Sequence, residues 1–558
     1  TWTAVSTAAM NALLGTGLQN VQISTGAANS CFVAIAGAAL RGVFRSGDGG
    51  GSWAAMDLPG TTEAGLGFVG IHFGGQAGNN LSLVADPTAT NIVYIGGDRQ
   101  PNPFPNSIGA NNFTGRLFRG NAGQPAGSQF VHLTHASNAG AAGGGTANTS
   151  APHADSRDLG FDSNGSLIEV DDGGIYRRTQ PQTNAGDWFS MNGNIATTEF
   201  HSATWDAVAG IVIGGAQDVG VHEQIFVADP RWLGVTQADG GAVAVDDIST
   251  PGISTRFFSS QNLGGLAVGG TGLQSGQYDS ANTLLAQAAV PLTPQAGSAA
   301  IVPQFYTPIQ INNVNGLRMI VGAQSVYEST DGGATVAEIG VGIAVNPSTL
   351  GAPVAYGAAD NADMLYVGSG TNVFVRTGPS PANSLVRSAA YPGLRTVIGL
   401  AIDPDVAQTA FAVDRTNVFR TTDAGLTWTF VTGDLFASAL NPGRARSVAY
   451  VADATGDFLA VGTNRGVFRA DAPGFNVWEL ACAGLPNAPV YALEYDAADK
   501  VLVAGTLGRG AWTCYPGRSG PAQYKIKFAC GKADGNVLSQ GTYFTAINIL
   551  NPAAPTGP

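Results

Sequence analysis

The string Thr421-Thr-Asp423-Ala-Gly425-Leu-Thr427-Trp428 constrains this chain's fold more than any other feature, because it returns in two further places. The copies are Ser46-Gly-Asp48-Gly-Gly50-Gly-Ser52-Trp53 and Ser329-Thr-Asp331-Gly-Gly333-Ala-Thr335-Val336, each following a short apolar run. Turn chemistry accounts for the pattern. An Asp carboxylate can accept backbone N–H groups inside a tight turn, Gly supplies a positive φ, and a Trp beyond it packs on a neighbouring layer. A turn of this kind recurring along a chain implies a repeat of strands.

Composition agrees with a β-rich repeat. Gly makes up 78 of 558 residues and charged residues only 12%, which suits many turns between buried strands. A unit of roughly fifty residues can be followed through its second strands: Phe32-Val-Ala-Ile, Tyr94-Ile-Gly-Gly, Ile168-Glu-Val-Asp171, Val212-Ile-Gly-Gly, Phe258-Ser-Ser-Gln, Met319-Ile-Val-Gly, Leu365-Tyr-Val-Gly, Ala412-Val-Asp-Arg415, Leu459-Ala-Val-Gly and Leu502-Val-Ala-Gly. These make ten units. The last stops after Trp512-Thr-Cys514 without a closing strand, whereas Thr1-Trp2-Thr-Ala-Val-Ser matches the closing strand Thr427-Trp428-Thr-Phe-Val-Thr. The expectation is an all-β fold. It is a single large β-propeller of four-stranded blades over residues 1–515, ten blades favoured over seven or eight, closed by the N-terminal strand so that no sheet edge is left bare. Residues 100–115 and 136–152 interrupt blades as long surface loops. Residues 516–558 read as a short C-terminal β segment, the start of a β-sandwich or a packing extension available for self-assembly.

The three turns resemble the Asp-box (BNR repeat) of sialidases, sortilin-like proteins and two-propeller xyloglucanases. That resemblance implies a turn between the third and fourth strands of a propeller blade. It makes Ser46, Asp48, Gly50, Trp53, Ser329, Asp331, Gly333, Thr421, Asp423, Gly425 and Trp428 structural. A second resemblance covers residues 151–246. Pro152-His153-Ala-Asp155-Ser-Arg157-Asp158, Asp171-Asp172-Gly-Gly, Gly214-Gly-Ala-Gln217-Asp218-Val-Gly220 and Ala238-Asp239-Gly-Gly look like bacterial secreted Asp-box proteins of the sortilin and xyloglucanase-like group. Those commonly read His-x-Asp-x-His in the first motif, and here Arg157 stands at the second His. The resemblance implies the fold; the activity has to come from the site. A sialidase is disfavoured because the Arg-Ile-Pro motif is missing, and no Gly-x-Ser-x-Gly elbow, His-Glu-x-x-His or phosphate-binding loop is present.

A net charge of −13 makes nucleic acid and anionic membranes poor partners, and no long apolar stretch suggests a membrane span. Cys31, Cys482, Cys514 and Cys530 lack the spacing of a zinc site. In a secreted protein, which a chain starting at Thr1 without Met suggests, one or two disulfides would fasten the C-terminal end.

In such a blade, the loop entering the innermost strand and the turn between the second and third strands share one face, and the Asp-box turns lie on the other. His153, Asp155, Asp158, Asp171, Asp172, Glu199, His201, Asp218 and Asp239 then form an acidic arc. Arg99, Arg415, Arg465 and Arg509 form a basic arc facing it. The catalytic candidates are Asp158, Asp172 and Asp218, and the others are ligand-binding candidates. The arc suits Ca²⁺ or a pair of carboxylates for glycosidic cleavage, against the alternative that each Asp caps a β-turn. No cofactor is required. The function expected is an extracellular propeller binding a polysaccharide, peptide or protein through one face, with a glycoside hydrolase or lyase as the alternative. A scarcity of aromatic residues in the face loops favours binding.

Overall fold

The computed structural model describes residues 4–134, 152–515, 531–533 and 541–543, apart from residues 185, 193, 194, 196, 228, 230, 267, 268, 346–351, 381, 382, 455 and 483. Ten sheets follow one another in sequence, each an antiparallel meander, the sixth with a short Thr293–Pro294 strand added in parallel at its edge. They span residues 20–56, 82–132, 158–190, 200–234, 244–290, 309–340, 354–387, 399–430, 445–480 and 490–514, and are called the first to tenth sheets below. Second strands such as Ala410–Val413, Phe458–Thr463 and Val501–Thr506 are buried along their whole length. Being covered on both faces, they read as continuous apolar and small residues rather than as an alternation. Outer strands such as Leu284–Val290 are largely exposed.

The sheets do not close as one ring of ten. Apolar side chains seam the fourth sheet to the fifth, and so on pairwise to the tenth. The tenth then returns to the fourth through Ala203, Trp205, Val212, Val501 and Val503. Trp205 donates to Asp499 at 2.7 Å and Thr204 to Glu494 at 2.6 Å across the same seam. Seven sheets therefore form a β-propeller whose innermost strands line an axial cavity of about 550 Å³. The first three sheets are seamed to one another in series, and among the described residues no apolar cluster joins the third to the fourth. Seven innermost strands already bring their side chains around a narrow channel, whereas ten would leave a wider axial hole to fill.

Closure by the N-terminal strand is likewise corrected. Thr1, Trp2 and Thr3 lie outside the described residues, but the helix Ala8–Leu13 packs Met10 and Leu13 on Val33, Ile35 and Phe44 of the first sheet. That sheet is not a neighbour of the tenth. Among the described residues the tenth sheet has three strands, and a Cys482–Cys514 disulfide ties its last strand to the ninth sheet. Cys530 lies outside the described residues. With a sequence separation of 32 between the linked cysteines, Cys514→Ser is expected to cost about 3 kcal/mol of stability, read from the urea unfolding midpoint. No loss would mean that the bridge is not formed in solution.

The three sequence-repeated turns are superimposable in chemistry. Ser46, Ser329 and Thr421 hydroxyls each accept the N–H of Gly50, Gly333 or Gly425 at 2.8 Å. Asp48, Asp331 and Asp423 accept the backbone N–H and the hydroxyl of the Ser or Thr four residues on. Hydrogen bonds from Ser46 and Ser52 hold Asp48 down at about 2. Each turn joins the third and fourth strands of its sheet. Trp428 stacks edge-on against Tyr391 and donates to Ser388, both from the segment before the eighth sheet.

One charged network crosses the seam between the sixth and seventh sheets. Arg376, fully buried, donates to both Glu328 carboxylate oxygens at 2.7 and 2.9 Å. Arg318 and the Tyr356 hydroxyl donate to the same carboxylate. Burial alone would raise Glu328, but these donors, Arg376 foremost, hold it down at about 2.

Candidate functional site

Three carboxylates meet where the third sheet faces the fourth. Asp155 lies on the loop entering the third sheet, Asp172 at the tip of the hairpin between Leu167–Asp171 and Gly174–Arg178, and Asp218 at the tip between Ile211–Ala216 and Gly220–Gln224. One oxygen from each lies within 4.8 Å of the others. Asp155 and Asp218 have φ of 70° and 61°, left-handed conformations that a non-glycine residue adopts only where the surroundings hold it.

Local bonds fix each group. Asn80, itself buried, donates to Asp155 at 2.7 Å. Asp239 accepts the Asp218 N–H at 3.0 Å. Arg157 grips Asp172 with two parallel bonds of 2.7 and 3.0 Å, the strong fork-to-carboxylate geometry. Burial, then the charges of Asp172 and Asp239 together with a hydrogen bond to Asp172, push Asp218 up to about 8. Burial, then Asp172 and Asp98, push Asp155 up to about 6. At neutral pH Asp218 thus holds a proton while Asp172 sits in the grip of a guanidinium.

A second carboxyl pair lies beneath. Glu169 is wholly buried, and burial with the Asp171 charge drives its pKa well above the ordinary value. Burial pushes Asp171 to about 6, although its carboxylate accepts the Gly173 N–H at 2.8 Å. Both side chains are buried.

The remaining candidates separate clearly. His153 contacts the Asp218 and Ala154 carbonyls, both at 3.2 Å, and so props the Asp218 hairpin. Glu199, raised by burial and then by Asp172, belongs to the same acidic neighbourhood. His201 is buried, stacks on Tyr306 at 3.8 Å between ring centroids, and is held neutral by burial with a pKa of about 4. Asp158 is exposed on the first strand of the third sheet and turns its carboxylate to the Leu159 N–H at 2.9 Å, outside the three-carboxylate group. Its place there is taken by Asp155, three residues earlier.

The basic arc does not close on the acids. Arg415, Arg465 and Arg509 project from the second-to-third turns of the eighth, ninth and tenth sheets, exposed, with Arg465 and Arg509 bonding the backbone carbonyls of Asn441 and Gly508. Arg99 is held between the rings of Phe73 and Phe113. Among the described residues, the ion pair to the cluster comes from Arg157, the residue that replaces the motif's second His. Aromatic side chains occupy two connecting segments on this part of the chain, and Tyr306 is close enough to feel the charges of Asp239, Asp218 and Glu199. Phe305 and Tyr306 meet edge-on beside His201, and Tyr306 donates to Gln217 at 3.3 Å. Phe104 and Phe113 meet edge-on within the 100–115 loop. Both groups sit in irregular connections, where no strand period marks a side chain as facing the site.

The three oxygens are also spaced for a hard divalent cation, which at about 2.3–2.6 Å from each would take the place of the Asp218 proton. Arg157 already supplies positive charge to both oxygens of Asp172. No helix among the described residues is long and apolar enough to cross a membrane.

No protein-family model matches the chain, and no curated protein matches it in sequence. Among solved structures, the chain is similar to the GH74 xyloglucanase from Xanthomonas campestris, with a TM-score of 0.51 and 14% identity over 89% of this chain and 67% of that one. The Niastella koreensis GH74 enzyme follows at 0.46 and 16%, over 88% of this chain and 66% of that one. The chain thus spans about two thirds of the length of these proteins, and the first likeness, at this identity, is one of fold: a β-propeller architecture.

Proposed function

We propose that this protein binds a polysaccharide across the junction of the third and fourth sheets, with Asp155, Asp172 and Asp218 on the floor. The observation that carries this reading is the meeting of three carboxylates, drawn from two adjoining sheets, within 4.8 Å, with the Tyr306 ring close enough to feel the charge of Asp218. A mixed set of protonated and ionised carboxyls offers both donors and acceptors to sugar hydroxyls. The fold neighbour's description as a xyloglucanase supports polysaccharide as the ligand class. The Cys482–Cys514 disulfide fits an extracellular setting.

A glycoside hydrolase is the second reading. It is favoured by one observation, Asp218 held protonated near neutral pH beside Asp172 in its pair with Arg157, the division of roles that acid–base cleavage needs. Against it, one carboxylate oxygen of Asp172 and one of Asp218 lie within 4.8 Å of each other, whereas cleaving carboxyls stand about 5–9 Å apart to admit the sugar.

The test is binding and reducing-end release across a panel of soluble polysaccharides, with and without Ca²⁺. Binding without release, weakened about tenfold or more in Asp172→Ala and Asp218→Ala, is the expected result. Release that disappears in either variant while the fold survives would replace the binding reading with the hydrolase. No binding to any member would end both.

A further inference from the structure

Arg99 ends the second strand of the second sheet, Ile92–Arg99, one residue from the candidate site. The Asp98 carbonyl accepts the Asp155 N–H at 3.4 Å, and the Gly97 carbonyl the Ser156 N–H at 2.9 Å. Its guanidinium lies 5.1 Å from the Phe73 ring centroid and 4.7 Å from that of Phe113. Asp98 is next to it in sequence, yet the Asp98 carboxylate is turned to backbone, accepting the N–H of Arg99 itself at 2.7 Å and of Gln76 at 3.3 Å. Among the described residues no carboxylate pairs with the Arg99 side chain and no protein acceptor takes its N–H groups. Every other arginine close to the site is engaged: Arg157 by Asp172, and Arg116 by Gln100, Thr61 and two carbonyls.

The clamp is held in place beforehand. The loop that carries Phe104 and Phe113 is fastened by Ser107, whose N–H and hydroxyl both donate to buried Glu63 at 2.8 Å. Gln100 fastens it again by donating to the Gly115 carbonyl at 2.8 Å. Phe113 is 47% exposed and supported edge-on by Phe104. A planar cation with free donors, held between two rings of which Phe113 stays partly exposed, matches a ligand that joins a carboxylate to an apolar ring face. The fork takes the carboxylate through two parallel bonds, and the ring takes the C–H face of the sugar.

Resting on the polysaccharide reading above, we propose that Arg99 with Phe113 forms a subsite for a uronic acid residue, the guanidinium locally taking one sugar carboxylate against the chain's net charge of −13. A pre-set clamp loses little conformational freedom on binding.

The test is calorimetric titration of the full chain with oligogalacturonate, oligoalginate, methyl-esterified oligogalacturonate and a neutral glucan. Thermal melts of each variant verify folding. The parent is expected to bind an acid form about tenfold or more tightly than the ester. Arg99→Ala should erase that preference, Arg99→Lys should lose most of it because the charge stays but the fork goes, and Phe113→Ala should weaken all acid oligomers. Equal binding of acid and ester, or binding of the neutral glucan alone, overturns the Arg99 subsite and leaves the polysaccharide reading standing. So does a preference that survives in Arg99→Ala. Binding of none of the four probes or of any wider panel member overturns both.

Discussion

Asp218→Asn is expected to make the protein more stable than the parent at alkaline pH by roughly 2–4 kcal/mol, with the difference vanishing near about pH 4. In the folded chain Asp218 has a pKa of about 8 against an ordinary 3.8, through burial and the neighbouring charges of Asp172 and Asp239. Between those values the folded protein holds a proton that the unfolded chain has released. Folding is therefore opposed increasingly as pH rises through that window, and the whole contribution is present only below the unfolded pKa. An amide keeps the shape and the capacity to donate to Asp172, but cannot ionise. Urea unfolding of both proteins from about pH 5 to 9 checks this, and parallel pH profiles would show that Asp218 is not the proton-holding member of the cluster.

Glu328→Gln works in the opposite direction and is expected to cost about 3–5 kcal/mol at neutral pH, because it leaves the buried Arg376 guanidinium without a counter-charge. Arg376 has no exposed surface and gives two charged bonds to this carboxylate, and Arg318 gives a third. The pH sign is the reverse of the Asp218 case. Glu328 stands at about 2 in the fold against 4.5, so its contribution is complete above the ordinary carboxylate range and drains away as pH falls towards 2. The double variant Glu328→Leu with Arg376→Leu should recover much of the loss, since what hurts is the orphaned charge more than the missing pair. A single-variant loss under about 1 kcal/mol would mean that water reaches Arg376.

How much of this was legible in sequence follows from the range of each interaction. The turns around Asp48, Asp331 and Asp423 are complete within a few residues, with every donor and acceptor inside the motif, so the letters and the geometry coincide. The choice of Asp172 and Asp218 rested on Asp-rich turns between second and third strands, again a local signal, and both reach the cluster. Asp158 and Asp155 differ by three positions. Which of them faces the site depends on where the loop becomes strand, and the left-handed backbone at Asp155 carries no sequence signature outside glycine. At Arg157 the motif shows only a missing histidine, although the guanidinium there is what pairs with Asp172. Ring closure was least legible. The repeats look alike, and nothing in Trp205 or Asp499, 294 positions apart, announces that they meet.

That meeting has a mechanical side. Six of the seven seams in the ring are crossed by the chain itself, since consecutive sheets are joined by a connecting segment. The seventh, between the fourth and tenth sheets, is crossed among the described residues by no connecting segment and by no shared strand. It is a clasp, held by Trp205, Thr204 and their carboxylate partners, by Val501 and Val503, and by a single backbone bond from Gly510 to Thr198. The Cys482–Cys514 bridge anchors one jaw of the clasp to the sheet behind it. The other jaw carries the Asp218 hairpin, so the clasp and part of the floor of the candidate site share one sheet.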